Sequence, residues 1–150
     1  MSEAGATSDR ALRVLVITDH PEPSPELVAM IRRRATRGPA RFRVVVPNPA
    51  RAELHPLHPE RHEKADEAEH VLRKSLPMLE EAAGGHVIGT VSVRHDPMDA
   101  VEEVLFSEPV DEIFVEIPGH GLTRRLHLDL AHRLMHFGLP VEVVGPVVTT

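Results

Sequence analysis

The chain contains no cysteine, no tryptophan and no tyrosine, and only four phenylalanines among 150 residues. Without cysteine there is no disulfide framework, no thiolate zinc site and no thiol nucleophile, which fits a reducing, cytoplasmic setting. Scarce aromatics leave few platforms for stacking the bases of single-stranded nucleic acid. Positive charge is also short. Seventeen basic residues against 23 acidic ones give a net charge of −6, with no basic stripe, so nucleic acid is not an expected partner. No apolar run approaches the ~18 residues of a membrane span, so no membrane partner is expected. Residues 1–10 are polar, lack the apolar stretch of a signal peptide, and read as a disordered tail.

What is present is a regular alternation of strand and helix patterns over one domain, residues 11–145, followed by a short tail at 146–150. The organising stretch is Ala11–Asp19, in which Leu12, Val14, Leu15, Val16 and Ile17 crowd together before Thr18-Asp19. A short, nearly unbroken β-branched run reads as a strand buried on both faces of a parallel sheet. Its polar end then lies where open α/β sheets bind ligands.

Ser24 and Pro25 supply an N-cap and first turn for a helix carrying Leu27, Val28, Ile31 and Ala35. Arg32, Arg33, Arg34 and Arg37 are expected to face water or the helix's negative end, and Gly38-Pro39 stops it. Arg41–Val46 is the second strand. A Pro- and His-rich connection, Ala50–His62, leads to a helix over about Arg61–Ala83, with Ala65, Ala68, Leu72, Leu76, Leu79 and Ala83 on one face. Pro77 is expected to kink or split that helix near Ser75. His86–Arg94 is the third strand, with Val87, Ile88, Val91 and Val93 as its apolar content. Asp96-Pro97 opens a helix with Val101, Val104 and Leu105 buried. Asp111–Ile117 is the fourth strand, and Pro118–Gly121 a tight turn. A helix from about Leu122 to Phe137 buries Leu122, Leu126, Leu130, Leu134 and Phe137, and Leu139–Val144 is the fifth strand. Alternating strands and helices imply a parallel sheet covered on both faces.

Four segments, VLVITD at Val14–Asp19, HDPMDAV at His95–Val101, DEIFVEIPGHG at Asp111–Gly121 and LPVEVV at Leu139–Val144, carry a resemblance. Together, in this order, the set resembles the universal stress protein family, whose hallmarks there are a strand ending in Asp, a GDP-x-x-A helix start, a D-x-I-V-x-G-x-x-G strand and loop, and a C-P-V-x-V-V last strand. The resemblance covers about Leu12–Val144. It implies an α/β, Rossmann-like fold of the adenine nucleotide alpha hydrolase-like type: a five-stranded parallel sheet of order 3-2-1-4-5 with helices on both faces. It also implies a homodimer through the last strand, Val141–Val144, and a ligand crevice between the first and fourth strands. Pairing that edge with a second copy would remove an exposed apolar strand.

The candidate ligand-binding residues are Thr18, Asp19, Val46, Val115, Glu116, Gly119, His120 and Gly121. ATP-binding members carry G-x2-G-x9-G-[ST] after the fourth strand. Here Gly119 matches the second Gly, but Glu116 stands at the first and Asp129-Leu130 at the closing pair. A side chain where backbone must approach phosphate blocks it. A carboxylate there also repels it: like charges ~4 Å apart cost ~1 kcal/mol in water and ~4 kcal/mol at intermediate dielectric. The implied protein is non-enzymatic, with weak or no ATP binding and no required cofactor. An ATP-binding, slowly hydrolysing member is the alternative.

Other constellations have simpler readings. Asp19 either meets a ribose or base, or caps the turn into His20-Pro21. Gly119-His120-Gly121 is either an anion nest or a tight turn. His55, His58 and His62, and the helical pair His132 and His136, have metal-ligand spacing without a clear third ligand. They read as solvated, with a divalent-metal module as a further alternative. No serine sits in a nucleophile elbow and no acid/base pair is evident, so no catalytic residue is assigned.

Overall fold

A computed structural model describes residues 11–48, 60–116 and 130–144. The elements are β1 (Leu12–Thr18), α1 (Pro25–Thr36), β2 (Ala40–Val46), α2 (Glu60–Ala83), β3 (Val87–Val91), α3 (Pro97–Ser107), β4 (Glu112–Glu116), a helical stretch at residues 130–135, and β5 (Val141–Val143). The five strands form one sheet in the order β3-β2-β1-β4-β5, with every neighbouring pair parallel. This is the expected α/β architecture.

The central strand is buried on both faces from Val14 to Thr18, as its sequence predicts, while Leu12 at its start is exposed. Val14 and Val16 join Phe42, Val44, Val46 and Phe114 beneath Leu27 and Ile31 of α1 and Leu72 and Leu79 of α2. Leu15 and Ile17 join Val45, Ile113 and Val115 beneath Met98, Val101 and Val104 of α3, with Leu130 and Leu134. Each fully buried Leu, Ile or Phe contributes about 1.5–3 kcal/mol, so the two cores lock the strand order. Ser24 and Asp96 cap α1 and α3: their side chains accept from Leu27 N–H at 3.0 Å and Met98 N–H at 2.9 Å, and proline follows each. Gly89 lets α2 approach β3. A Cβ there would lie 3.0 Å from Leu76 Cδ2 and 3.2 Å from Leu72 Cδ2.

Four local expectations are corrected. Pro77 does not split α2, which runs unbroken through it. Its ring faces solvent, so the missing backbone bond lies on the wet side, and Ser75 Oγ donates to Val71 C=O at 2.9 Å. β3 stops at Val91 rather than Arg94. The Arg94 N–H bonds back to Ser92 Oγ at 2.9 Å, and this bend turns Val93 outward, 74% exposed. Phe137 leaves the buried helical face. Its N–H bonds Leu134 C=O at 3.0 Å, a tightened last turn that rotates the ring to 40% exposure. Finally, Arg34 lies at the helix's negative end, in the last turn of α1, but does not face water. It is 5% exposed, with Nη2 2.9 Å from Glu112 Oε2.

Candidate functional site

The strand order reverses between β1 and β4, and the described helices that follow these two strands pack on opposite faces of the sheet. The first leads to α1 on one face. After the fourth, the helical residues 130–135 pack on the other. Such a switch point opens the crevice in which doubly wound sheets bind ligands.

Thr18 and Glu116 are register partners at the two strand ends. Their side chains project to the face that α1 covers, because both share the parity of Val14 and Val16. The Glu116 carboxylate is buried, 4% exposed, and both its oxygens are engaged. Thr18 Oγ1 donates to Oε1 at 3.0 Å and accepts from the His20 N–H at 3.2 Å. Ser24 Oγ donates to Oε2, while accepting from the Leu27 N–H. Glu116 therefore lies at the N-terminus of α1, where the helix dipole favours negative charge. It occupies the kind of position a bound anion takes in other folds. The Asp19 N–H closes the loop on the Glu116 carbonyl at 3.3 Å.

Asp19 sits at the rim. Partial burial raises its carboxyl above the ordinary range. His20, with Nε2 3.8 Å from Oδ1, and a backbone hydrogen bond pull it down, and the Glu116 charge pushes it up. Beside it, a cavity of about 400 Å³ opens between His20, Pro21, Glu22, Pro23 and Val71. A separate cavity of about 860 Å³ lies at the opposite, amino end of the sheet, lined by small residues such as Ala35, Ala82 and Gly85. It is far from the switch point and is not the crevice.

The structure thus brings Thr18, Asp19 and Glu116 together. Val46 ends β2 beside β1 with its side chain in the α1/α2 core, and Val115 packs into the opposite core. Gly119, His120 and Gly121 lie outside the described residues. Ser24 is the member of the network that sequence reading treats only as a cap. Its hydroxyl reaches a residue 92 positions away, and no local pattern announces that. His132 and His136 are exposed, with rings edge-on at 5.6 Å between centroids. Among the described residues no three His, Asp or Glu side chains are grouped to hold a metal. No helix of the described residues is long and apolar enough to cross a membrane.

No protein-family model and no curated protein matches the sequence. Solved structures do. The universal stress protein from Archaeoglobus fulgidus superposes with a TM-score of 0.60 at 17% identity, over 89% of this chain and 93% of that one. The fold is that of the universal stress proteins. The Archaeoglobus universal stress protein in complex with dAMP gives a TM-score of 0.60 at 16% identity, over 89% of this chain and 98% of that one. The universal stress protein UspA from Lactobacillus plantarum gives 0.56 at 19% identity, over 91% and 99%. Within the universal stress protein fold, the buried Glu116 network stands at the switch-point crevice of this chain.

Proposed function

We propose that this chain is a divergent, non-enzymatic universal stress protein. In this reading it pairs with a second copy through β5 and receives small ligands at the β1/β4 crevice with weak or no affinity for ATP. The observation that carries the reading is the Glu116 carboxylate, buried between Thr18 and Ser24 at the N-terminus of α1. A triphosphate entering there meets a resident negative charge that already holds the hydroxyl donors. Isothermal titration with ATP-Mg tests it. The expected trace is flat at micromolar protein, and saturable micromolar binding overturns the reading. That second outcome is the nucleotide-binding alternative, favoured by one observation: a relative in fold was solved with dAMP.

The proposed dimer rests on the outer side of β5. Val144 N–H and Pro140 C=O bond to β4, so the backbone groups of Val141 and Val143 point the other way. Val143 is 45% exposed, and Met135 and Phe137 are exposed as well. Val143→Pro removes only an outward N–H. It is expected to convert a dimer to a monomer in sedimentation velocity while leaving the circular dichroism spectrum unchanged. An unaltered sedimentation coefficient would exclude pairing along this edge.

A further inference from the structure

We propose that the pocket between Arg13, Arg41 and Arg43, at the amino end of the sheet, binds a small oxyanion. The inference is independent of the reading of the crevice. It begins with register: Arg13 is the direct partner of Arg41 across β1 and β2, and Arg43 is the partner of Leu15. All three arginines therefore stand on the α3 face at the amino end of the two inner strands β1 and β2. Like charges placed opposite one another across strands are destabilising. In a chain of net charge −6 such a cluster is not the default of composition.

The counter-charge present does not satisfy the cluster. Glu108 is shared: Oε1 pairs with Arg43 Nη1, and Oε2 lies 4.0 Å from Arg13 Nη1. The nearby Asp111 carboxylate accepts from the backbone N–H of Arg13 at 2.8 Å. The end of α3 adds only a partial negative charge. Among the described residues Arg41 has no ion-pair partner, and the buried Nε of Arg43 has no acceptor. A buried N–H without an acceptor is costly unless a water or ion supplies one.

A cavity of about 90 Å³ lies against these groups, lined by Arg13, Arg41 and Arg43, by Glu108, and by apolar side chains such as Val104 and Val110. It has room for a few waters or one small oxyanion, and not for a nucleotide. The guanidinium fork binds planar or tetrahedral oxyanions through paired N–H donors. The shared chemistry is thus a phosphate or carboxylate group, and the two sources are separated by testing each alone.

The experiment follows the thermal midpoint of the full chain against inorganic phosphate, and separately acetate, at ionic strength held constant with chloride. Calorimetric titration of the same anions runs in parallel. A ligand selective for the folded state raises the midpoint with concentration. The expected result is saturable stabilisation by at least one of the two anions. It should weaken at least tenfold in Arg41→Gln and Arg43→Gln and be retained in Arg73→Gln, a control on the exposed side of α2. Arg41 is exposed, so its variant keeps the test alive if Arg43→Gln does not fold. No saturation by either anion overturns the site. So does an equal response in wild type, Arg41→Gln and Arg73→Gln, which is the general stabilisation that excluded salts produce.

Discussion

The two ends of the sheet carry opposite charge. At the carboxyl end, Asp19 and Glu116 converge beside the switch point. At the amino end, Arg13, Arg41 and Arg43 of the inner strands β1 and β2 gather around Glu108. In open α/β sheets the helix N-termini gather at the carboxyl end and their partial positive charge favours anions there. This chain fills that place with its own carboxylate. The contrast is between an end where a carboxylate of the chain sits by a helix N-terminus and an end where arginines gather around one carboxylate. Helix α1 joins the two ends. Its N-cap Ser24 holds Glu116, the last residue of β4, and Arg34 in its last turn holds Glu112, the first. One helix is thus pinned along one strand at both ends: the Glu116 carboxylate suits the positive N-terminus, and the Arg34 cation, held by Glu112, suits the negative C-terminal turn.

The largest expected effect comes from breaking the lower pin. Arg34→Leu leaves Glu112 uncompensated, and loss of one partner of a buried pair costs about 3–5 kcal/mol. Glu112 is 17% exposed at its side chain, which places the expectation near the lower figure. Urea unfolding monitored by circular dichroism measures it. A loss under 1 kcal/mol would mean that α1 is held by its apolar face alone.

Breaking the upper pin is expected to cost less and change more. Glu116→Gly leaves the Thr18 and Ser24 hydroxyls without their acceptor, a cost of about 1–3 kcal/mol. It also removes the resident anion. Titration with ATP-Mg should then show binding, against the flat trace expected of the wild-type chain. If both traces are flat, the carboxylate is not what keeps phosphate out, and Asp129-Leu130 becomes the better explanation.

The smallest effect is expected at Asp19. Its carboxyl pKa is raised in the folded chain above the ordinary 3.8, so the ionised form is disfavoured by folding. The resulting destabilisation is present at neutral pH and disappears as pH falls through the folded value toward the unfolded one. Asp19→Asn should therefore be slightly more stable than wild type at pH 7, with the difference closing below about pH 4. Paired thermal melts across that range check it. A variant less stable at pH 7 would show that the Asp19 charge is instead a net attraction to His20.

Much of this architecture is written locally. Leu12–Ile17 announces a strand buried on both sides, and Ser24-Pro25 and Asp96-Pro97 announce helix starts, because caps and β-branched runs act over a few residues. The parallel alternation follows from those elements. Pairing at a distance decided the rest. Arg34 belongs to a run of three arginines that reads as solvent-facing until Glu112, 78 positions on, is brought beneath it. Glu116 reads as an obstacle to phosphate, but its bonds to Thr18 and Ser24 exist only once β1, β4 and α1 are assembled. Helix and strand propensities depend on near neighbours, whereas the partner of a buried charge depends on which strands lie side by side. The chain alone therefore determined its layers and their order of use. Only the tertiary structure decided which carboxylate sits on which helix end, and where the arginines meet.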